Sequence, residues 1–241
     1  QVTIDGEADH FGYSNWRGSG CLKSVSSFGE LGMTRLDDAF SYAGNLISVP
    51  TILPSTIRTT ARMFQYSTRF NQDLSTWNTS RVTDMSGMFN GATSFNGNVS
   101  TWDTSRVTNM DRMFFTASTF NQDVSKWNVS NVTAMGGMFA YTVKFNGDIS
   151  AWDVQKVTST NSMFAYATAF TRDLSEWKLA KASDLNYMFQ GATSWDYSFS
   201  DVELPSMTGA WEIFSGSGIT ARHYSDTLKG WATRSEEHTS E

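Results

Sequence analysis

Hydrophobic positions recur along this chain at a fixed spacing of 25 residues. The stretch 77–89 opens with a tryptophan, carries valine and methionine in its middle, and closes with Met88 and Phe89. A fixed period of this size is typical of proteins built from stacked repeats. We therefore expect one domain in which each unit contacts only its neighbours. Equivalent stretches lie at 102–114, 127–139 and 152–164, and more loosely at 177–189.

Two elements are predicted within each unit. Val82, Met85 and Phe89 lie at i, i+3 and i+7, which is one face of a helix. The segment 73–77 is short and β-prone, so it predicts a strand. The predicted fold class is therefore an α/β repeat solenoid, similar to leucine-rich repeats, with 25-residue coils of one short strand plus one short helix.

Aromatic residues occupy the same offset in successive coils. Equivalent positions in stacked coils lie roughly 5 Å apart, so these side chains should form continuous buried columns and supply much of the core. One column is Phe64, Phe89, Phe114, Phe139, Phe164, Phe189 and Phe214. A second is Phe70, Phe95, Phe120, Phe145, Phe170 and Trp195. A third runs from Trp77 to Trp177.

The two ends of such a stack need covers for their apolar faces. We predict an N-terminal cap segment over 1–20, a repeat region over 21–217 with regular coils over about 57–201, and a C-terminal capping helix over 218–233. The last eight residues, 234–241, resemble the in-frame translation of a sequencing adapter. We expect that they are not part of the natural protein.

The motif Phe-Asn-Gln-Asp-Leu-Ser-x-Trp-Asn-x-Ser-x-Val-Thr-x-Met-x-x-Met-Phe, which spans 70–89, resembles the BspA-type surface-protein repeat. The resemblance covers roughly residues 22–232. It implies a divergent solenoid similar to leucine-rich repeats, found on secreted and cell-surface proteins and linked to adhesion or protein binding. It implies no catalytic residue.

Composition narrows the possible partners. The net charge of −6 and the pI near 5.1 argue against nucleic acid as a main partner. No apolar run approaches the length of a membrane span. Cys21 is the single cysteine, so an intrachain disulfide is impossible and the compartment stays open. No histidine cluster, cysteine cluster or glycine-rich phosphate loop appears, so we expect no cofactor and no metal.

Charged residues also recur with the repeat and form a possible ligand face. An acidic column could hold calcium or supply paired carboxylates for polysaccharide hydrolysis, or its side chains could bond their own backbone in turns. We favour the turns, because Asn98 is accepted in the column. A basic column could bind acidic sugars or be a solvated face, which we favour. The acidic column is Asp73, Asp123, Asp148 and Asp173, and the basic column is Arg81, Arg106, Lys156 and Lys181.

Four Asn-x-Ser/Thr sequons begin at Asn78, Asn98, Asn128 and Asn131. They are possible N-glycosylation sites if the protein is secreted through a glycosylating pathway. Three of them fall within the repeat consensus, which can produce them without any role in glycosylation.

The sequence favours a non-enzymatic extracellular or cell-surface module for interaction or adhesion. Its repetitive face would bind a protein or a glycan, since stacked repeats present extended surfaces. Two alternatives stay open: a structural subunit docked in a larger assembly, and, less favoured, a carbohydrate-active enzyme on a solenoid scaffold.

Overall fold

Repeated coils make up most of the structure. The computed structural model describes residues 19–29, 32–200, 202 and 209–237. A short 3-10 helix covers Ser19–Cys21 and one α-helix, α1, covers Ala221–Glu237. Between them, single parallel β-bridges join one coil to the next. The bridged pairs are Ser24–Ser48, Arg35–Thr59, Thr59–Asp84, Asp84–Asn109, Asn109–Ala134, Ala134–Ser159, Ser159–Asp184 and Asp184–Gly209.

The predicted α/β fold class, with one strand and one helix per coil, is wrong. Within the described ranges α1 is the only α-helix, and the coils pair through isolated bridges rather than strands. The segment predicted as a helix is a run of turns. The amide of Met88 bonds to the carbonyl of Met85, three residues back, while the amide of Phe89 bonds to Met113 in the next coil. An α-helix would need bonds to the fourth residue back.

Left-handed backbone conformations explain why no helix forms. Each coil from 38 to 216 has two such residues, four positions apart. This region costs roughly 1–2 kcal/mol for residues other than glycine. The bonds between coils offset that cost, because alternate amides of each turn run donate to the next coil. The first position holds Asp38, Arg62, Gly87, Arg112, Gly137, Ser162, Tyr187 and Glu212. The second holds Tyr42, Tyr66, Gly91, Thr116, Tyr141, Tyr166, Gly191 and Gly216.

The aromatic columns form the core, as the repeat predicted. Phe114 is fully buried and its ring stacks 5.5 Å from Phe89 and 5.7 Å from Phe139. Each tryptophan of the third column is buried and donates its indole N–H to a backbone carbonyl of an earlier coil. For Trp102 the acceptor is the carbonyl of Leu74, at 2.9 Å. The core is therefore continuous along the stack.

Helix α1 packs on the last coils. The hydroxyl of Thr227 accepts a hydrogen bond from the amide of Phe199 at 2.8 Å, and the indole of Trp231 donates to the carbonyl of Phe199 at 3.1 Å. A Cβ on Gly230 would lie 2.7 Å from the carbonyl oxygen of Ser200, so a glycine allows this approach. The helix starts three residues after the predicted start at 218 and continues past 233.

Several predicted segments lie outside the described residues. These are most of the N-terminal cap segment over 1–20, positions 30, 31, 201 and 203–208 of the repeat region, and the last part of 234–241. Among the described residues, no helix combines the length and the apolar character that crossing a membrane requires.

Candidate ligand-binding groove

A groove of about 450 Å³ crosses five successive coils on the side of the left-handed turns. The same few offsets of each coil line it, between residues 62 and 162. We call it the groove. Its main polar and aromatic side chains are Arg62, Asn90, Asp111, Arg112, Phe115 and Asn161.

Alternating glycines give the groove its depth. Arg62, Gly87, Arg112 and Gly137 occupy the same left-handed position in four successive coils. A Cβ on Gly87 would lie 3.1 Å from Cγ of Arg62, and one on Gly137 would lie 3.3 Å from Cγ of Arg112. Each arginine therefore leans over the glycine of the next coil. A side chain at either glycine would fill the groove.

The two arginines differ in their partners. Arg62 donates two hydrogen bonds to the carboxylate of Asp38, at 2.9 Å and 2.8 Å, and hydrogen bonding to this carboxylate is the main cause that raises the pKa of Arg62. Arg112 lies over the ring of Phe115, with Cζ 6.0 Å from the ring centroid. Within the described part of the chain Arg112 has no ion pair at 4.0 Å or less. Its guanidinium is thus available to a ligand.

Asp111 is partly buried in the wall of the groove. Its Oδ1 accepts a hydrogen bond from the amide of Gly136 at 2.6 Å. Burial raises the pKa of Asp111 and outweighs this bond and the nearby charge of Arg112, which lower it. The groove therefore contains one carboxylate whose ionisation is disfavoured by its surroundings.

Asn90 is the most enclosed polar side chain of the groove. Only 8% of its surface is exposed, and its Oδ1 has no hydrogen-bond partner among the described residues. A buried amide oxygen without a partner costs folding free energy and is uncommon. Asn90 lines the groove, but its Oδ1 is itself buried, so a ligand could donate a hydrogen bond to this oxygen only after the side-chain amide turned.

Aromatic rings lie on the side of the left-handed turns, where the partly buried Phe115 lines the groove and the exposed tyrosines lie outside its lining. Tyr141 stacks on Tyr166 with ring centroids 4.7 Å apart, and Phe115 meets Tyr141 edge-on at 5.7 Å. Tyr66 stacks on Tyr42 at 4.9 Å and its ring covers Gly91 of the next coil. We call this set the aromatic flank: Tyr42, Tyr66, Phe115, Tyr141 and Tyr166.

The acidic column predicted from the sequence lies outside the groove, in a second set of turns. In each coil the carboxylate accepts a hydrogen bond from the amide two residues later, at 2.8 Å for Asp73, 2.9 Å for Asp123, 3.1 Å for Asp148 and 2.9 Å for Asp173. The pKa of each of Asp73, Asp123 and Asp148 is lowered by the serine two residues later. The hydrogen bond from the serine hydroxyl is the larger cause and that from its amide is the next. These geometries are those of Asx turns.

The predicted basic column also lies outside the groove. Arg81, Arg106 and Lys181 are exposed. Lys156 donates to the side-chain oxygen of Asn131 at 2.7 Å. The column therefore points its charges to solvent without meeting the acidic column in an ion pair within the described residues.

The four sequon asparagines differ in how far their side chains are engaged. Asn78 and Asn128 are exposed, and each accepts a hydrogen bond from the amide two residues later at 3.1 Å. Asn98 is half-buried and makes the same turn at 3.0 Å. Asn131 donates its amide nitrogen to the carbonyl of Ser105 at 2.8 Å and accepts from Lys156. Asn78 and Asn128 are thus the most accessible acceptors.

Within the described ranges, no group of three or more histidine, cysteine or acidic side chains is placed to hold a metal ion. The groove itself was not predicted. The signal was present in the sequence as an alternation of arginine and glycine at one offset, at 62, 87, 112 and 137. An alternation of two residue types is a weaker signal than a column of like residues, because a repeat is recognised by the residues that recur.

Two comparisons with known proteins bear on the identity of the chain. A family model described as "Mycoplasma protein of unknown function, DUF285" matches it twice in tandem, over residues 34–142 and 122–231. No curated protein matches the sequence. The two family matches together span the described coils from 34 onward and most of α1.

Proposed function

Because this chain belongs to the DUF285 family, a family of repeat surface proteins, we propose that it is a non-enzymatic binding module at the cell surface or outside the cell. Its partner is a protein or a glycan, held against the repeated face. The likeness of the coils to BspA-type repeats supports the surface location and an adhesive role.

The observation that supports binding is the groove. It crosses five coils and combines an available guanidinium at Arg112, a partly buried carboxylate at Asp111 and the partly exposed ring of Phe115. Concave sites with a few convergent polar groups are the usual location of ligands. The proposal is binding rather than hydrolysis, because the repeated carboxylates of the acidic column hold their own backbone.

Binding can be measured with the full chain on two panels, one of purified extracellular proteins and one of immobilised glycans. Arg112→Ala should weaken any binding through the groove, because it removes the unpaired guanidinium. Arg106→Ala is the matched control, since Arg106 is an exposed arginine six residues before Arg112 and lies outside the groove. If neither panel binds the chain, or if both variants bind as the wild type does, the groove is not the binding surface.

The surface location has its own test. Intact source cells labelled with a membrane-impermeant amine reagent should yield labelled chain, because its exposed lysines include Lys156 and Lys181. Labelling that appears only after lysis would contradict the proposal.

A structural subunit of a larger assembly is a second candidate. Ile47 and Ile52 are 56% and 75% exposed near the start of the stack, and a neighbouring subunit that covered them would bury apolar surface. Native size measurement on the chain from its source distinguishes the two candidates. A stable large complex that breaks with Ile52→Asp would favour the subunit.

A further inference from the structure

We propose that the groove binds a linear oligosaccharide laid along the stack, with Asn90 and Arg112 as the residues that recognise its hydroxyl groups. This inference rests on the proposed binding function and specifies its ligand. Three features of the groove lead to it: an unpaired amide oxygen, a central backbone whose amides are already paired, and a partly exposed aromatic ring beside polar groups.

The unpaired oxygen calls for a hydrogen-bond donor. The Asn90 side chain is nine-tenths buried and its Oδ1 lacks a partner among the described residues. Oδ1 is buried as the amide stands, so it reaches the groove only if the amide turns over, which breaks no hydrogen bond at Oδ1 but moves Nδ2 into the buried position. A ligand hydroxyl in the groove would then supply the missing donor. Asp111, which lies in the next coil, offers a second acceptor.

The backbone of the groove argues against an extended peptide. Peptides that add to a protein edge are held by free amide and carbonyl groups. Here the amide of Gly87 bonds to Asp111 and its carbonyl accepts from Asn90. The amides of Arg112 and Gly137 bond to Gly136 and Asn161 in the same way. These backbone groups are therefore not free to pair with a peptide strand, and recognition must come from side chains.

Side chains of this kind suit a sugar. A hydroxyl group both donates and accepts, so it can bond to Asn90 and Asp111 as well as to the guanidinium of Arg112. The C–H face of a pyranose ring packs on an aromatic ring, and Phe115 lines the groove with the exposed ring of Tyr141 edge-on beside it. A purely apolar ligand would leave the polar side chains without partners, and a purely charged ligand would leave the aromatic rings without an apolar contact.

The length of the groove sets the length of the ligand. It reaches across five coils, from Arg62 to Ser162. Four steps between coils at roughly 5 Å each give about 20 Å. A chain of several pyranose rings fits that span, and affinity should rise with each added ring until the groove is full.

The test uses the full chain on an array of defined neutral and uronic-acid oligosaccharides, followed by calorimetry with a length series of the best binder. Asn90→Leu should weaken binding roughly tenfold, as expected for one lost hydrogen bond. The melting temperature should be unchanged or higher, since the variant removes a buried oxygen without a partner. Gln190→Leu is the matched control, because Gln190 holds the same offset four coils later, outside the groove.

Arg112→Gln provides a second variant at an exposed position, so that a folding defect at position 90 does not decide the result. It should weaken uronic-acid ligands more than neutral ones. Binding of an oligosaccharide that neither Asn90→Leu nor Arg112→Gln weakens would overturn the assignment to the groove. A protein ligand that depends on Arg112, with no glycan bound, would overturn the saccharide and leave the proposed function standing. Binding to neither panel would overturn both.

Discussion

The two sets of turns in each coil use their polar side chains differently. In the first set, which we call the Asx turns, Asp73, Asp123, Asp148 and Asp173 all accept a hydrogen bond from the amide two residues later. In the other set, which lines the groove, the side chain at a given offset differs from coil to coil, and so do the hydrogen bonds that it forms. The repeated aspartates bond their own turns in the same way in each coil, whereas the groove offset has no single conserved bond, and it is this variable surface that we propose binds a ligand.

The groove side shows what departure from the repeat produces. Ser86, Asp111, Gly136 and Asn161 share one offset and have four different side chains. At the neighbouring left-handed position, arginine alternates with glycine. A surface that differs in each coil can match a ligand in one register only, whereas a uniform surface binds equally in every register.

The largest expected effect comes from the core that both sets of turns share. Phe114→Ala should lower the free energy of unfolding by about 3–5 kcal/mol, because it truncates a fully buried ring in the middle of a column. Urea titration followed by tryptophan fluorescence measures the loss. Phe115→Ala is the control, since the neighbouring ring is only partly buried at the groove. Equal losses for the two would mean that the core does not lie where the columns place it.

Glycines on the two sides should differ in their tolerance of a side chain. Gly97 precedes an Asx turn, and a Cβ there would overlap the backbone carbonyl of Gln72, so Gly97→Ala should cost about 1–3 kcal/mol. Gly137 faces the flexible Cγ of Arg112, and other coils hold arginine or serine at its position. Gly137→Ala should therefore cost only about 1 kcal/mol, mainly for the left-handed backbone. Thermal melts of both variants check the order, and the reverse order would contradict the packing.

The smallest effect is a pair of opposite pH dependences. Burial raises the pKa of Asp111 above its ordinary value of 3.8, so its ionisation costs stability, and this cost grows as pH rises from 3.8 through the raised pKa. The pKa of Asp148 is lowered by Ser150, so its ionised form adds stability above 3.8, which is lost as pH falls through the lowered pKa. Each effect should stay below about 1 kcal/mol, since both groups keep solvent contact.

Two isosteric variants separate these terms. Relative to wild type, Asp111→Asn should gain stability at pH 7 and not at pH 3, because its amide oxygen keeps the bond from Gly136. Asp148→Asn should lose stability at pH 7 and not at pH 3. Chemical unfolding at several pH values gives both differences. Slopes of the same sign would show that the two sets of turns do not differ electrostatically.

The period and the core could be predicted from the sequence, because buried aromatic residues recur wherever stacking requires them. The buried status of Phe89, Phe114 and Trp102 follows from their spacing alone. The form of the coil could not be predicted in the same way. Val82, Met85 and Phe89 fit a helical period, yet the structure buries them in turns.

The reason lies in bonds that the local sequence does not contain. Tyr66, Arg112 and Tyr141 adopt left-handed conformations that their residue types disfavour. The bonds that hold them reach a coil 24 residues away, as from the amide of Tyr66 to the carbonyl of Asn90. The groove could not be predicted for a related reason: the offsets of Asn90 and Asp111 hold a different residue in nearly every coil, so they carry no periodic signal.

The ladder of bonds between coils has a mechanical consequence. Bonds such as that from the amide of Phe64 to Met88 join one coil to the next along the stack, and each coil is tied only to its neighbours. Tension applied through the chain therefore strips coils from an end one at a time. Each 25-residue coil that detaches releases about 80–90 Å of extended chain. We therefore expect the chain to lengthen under load in steps of similar size, one coil at a time.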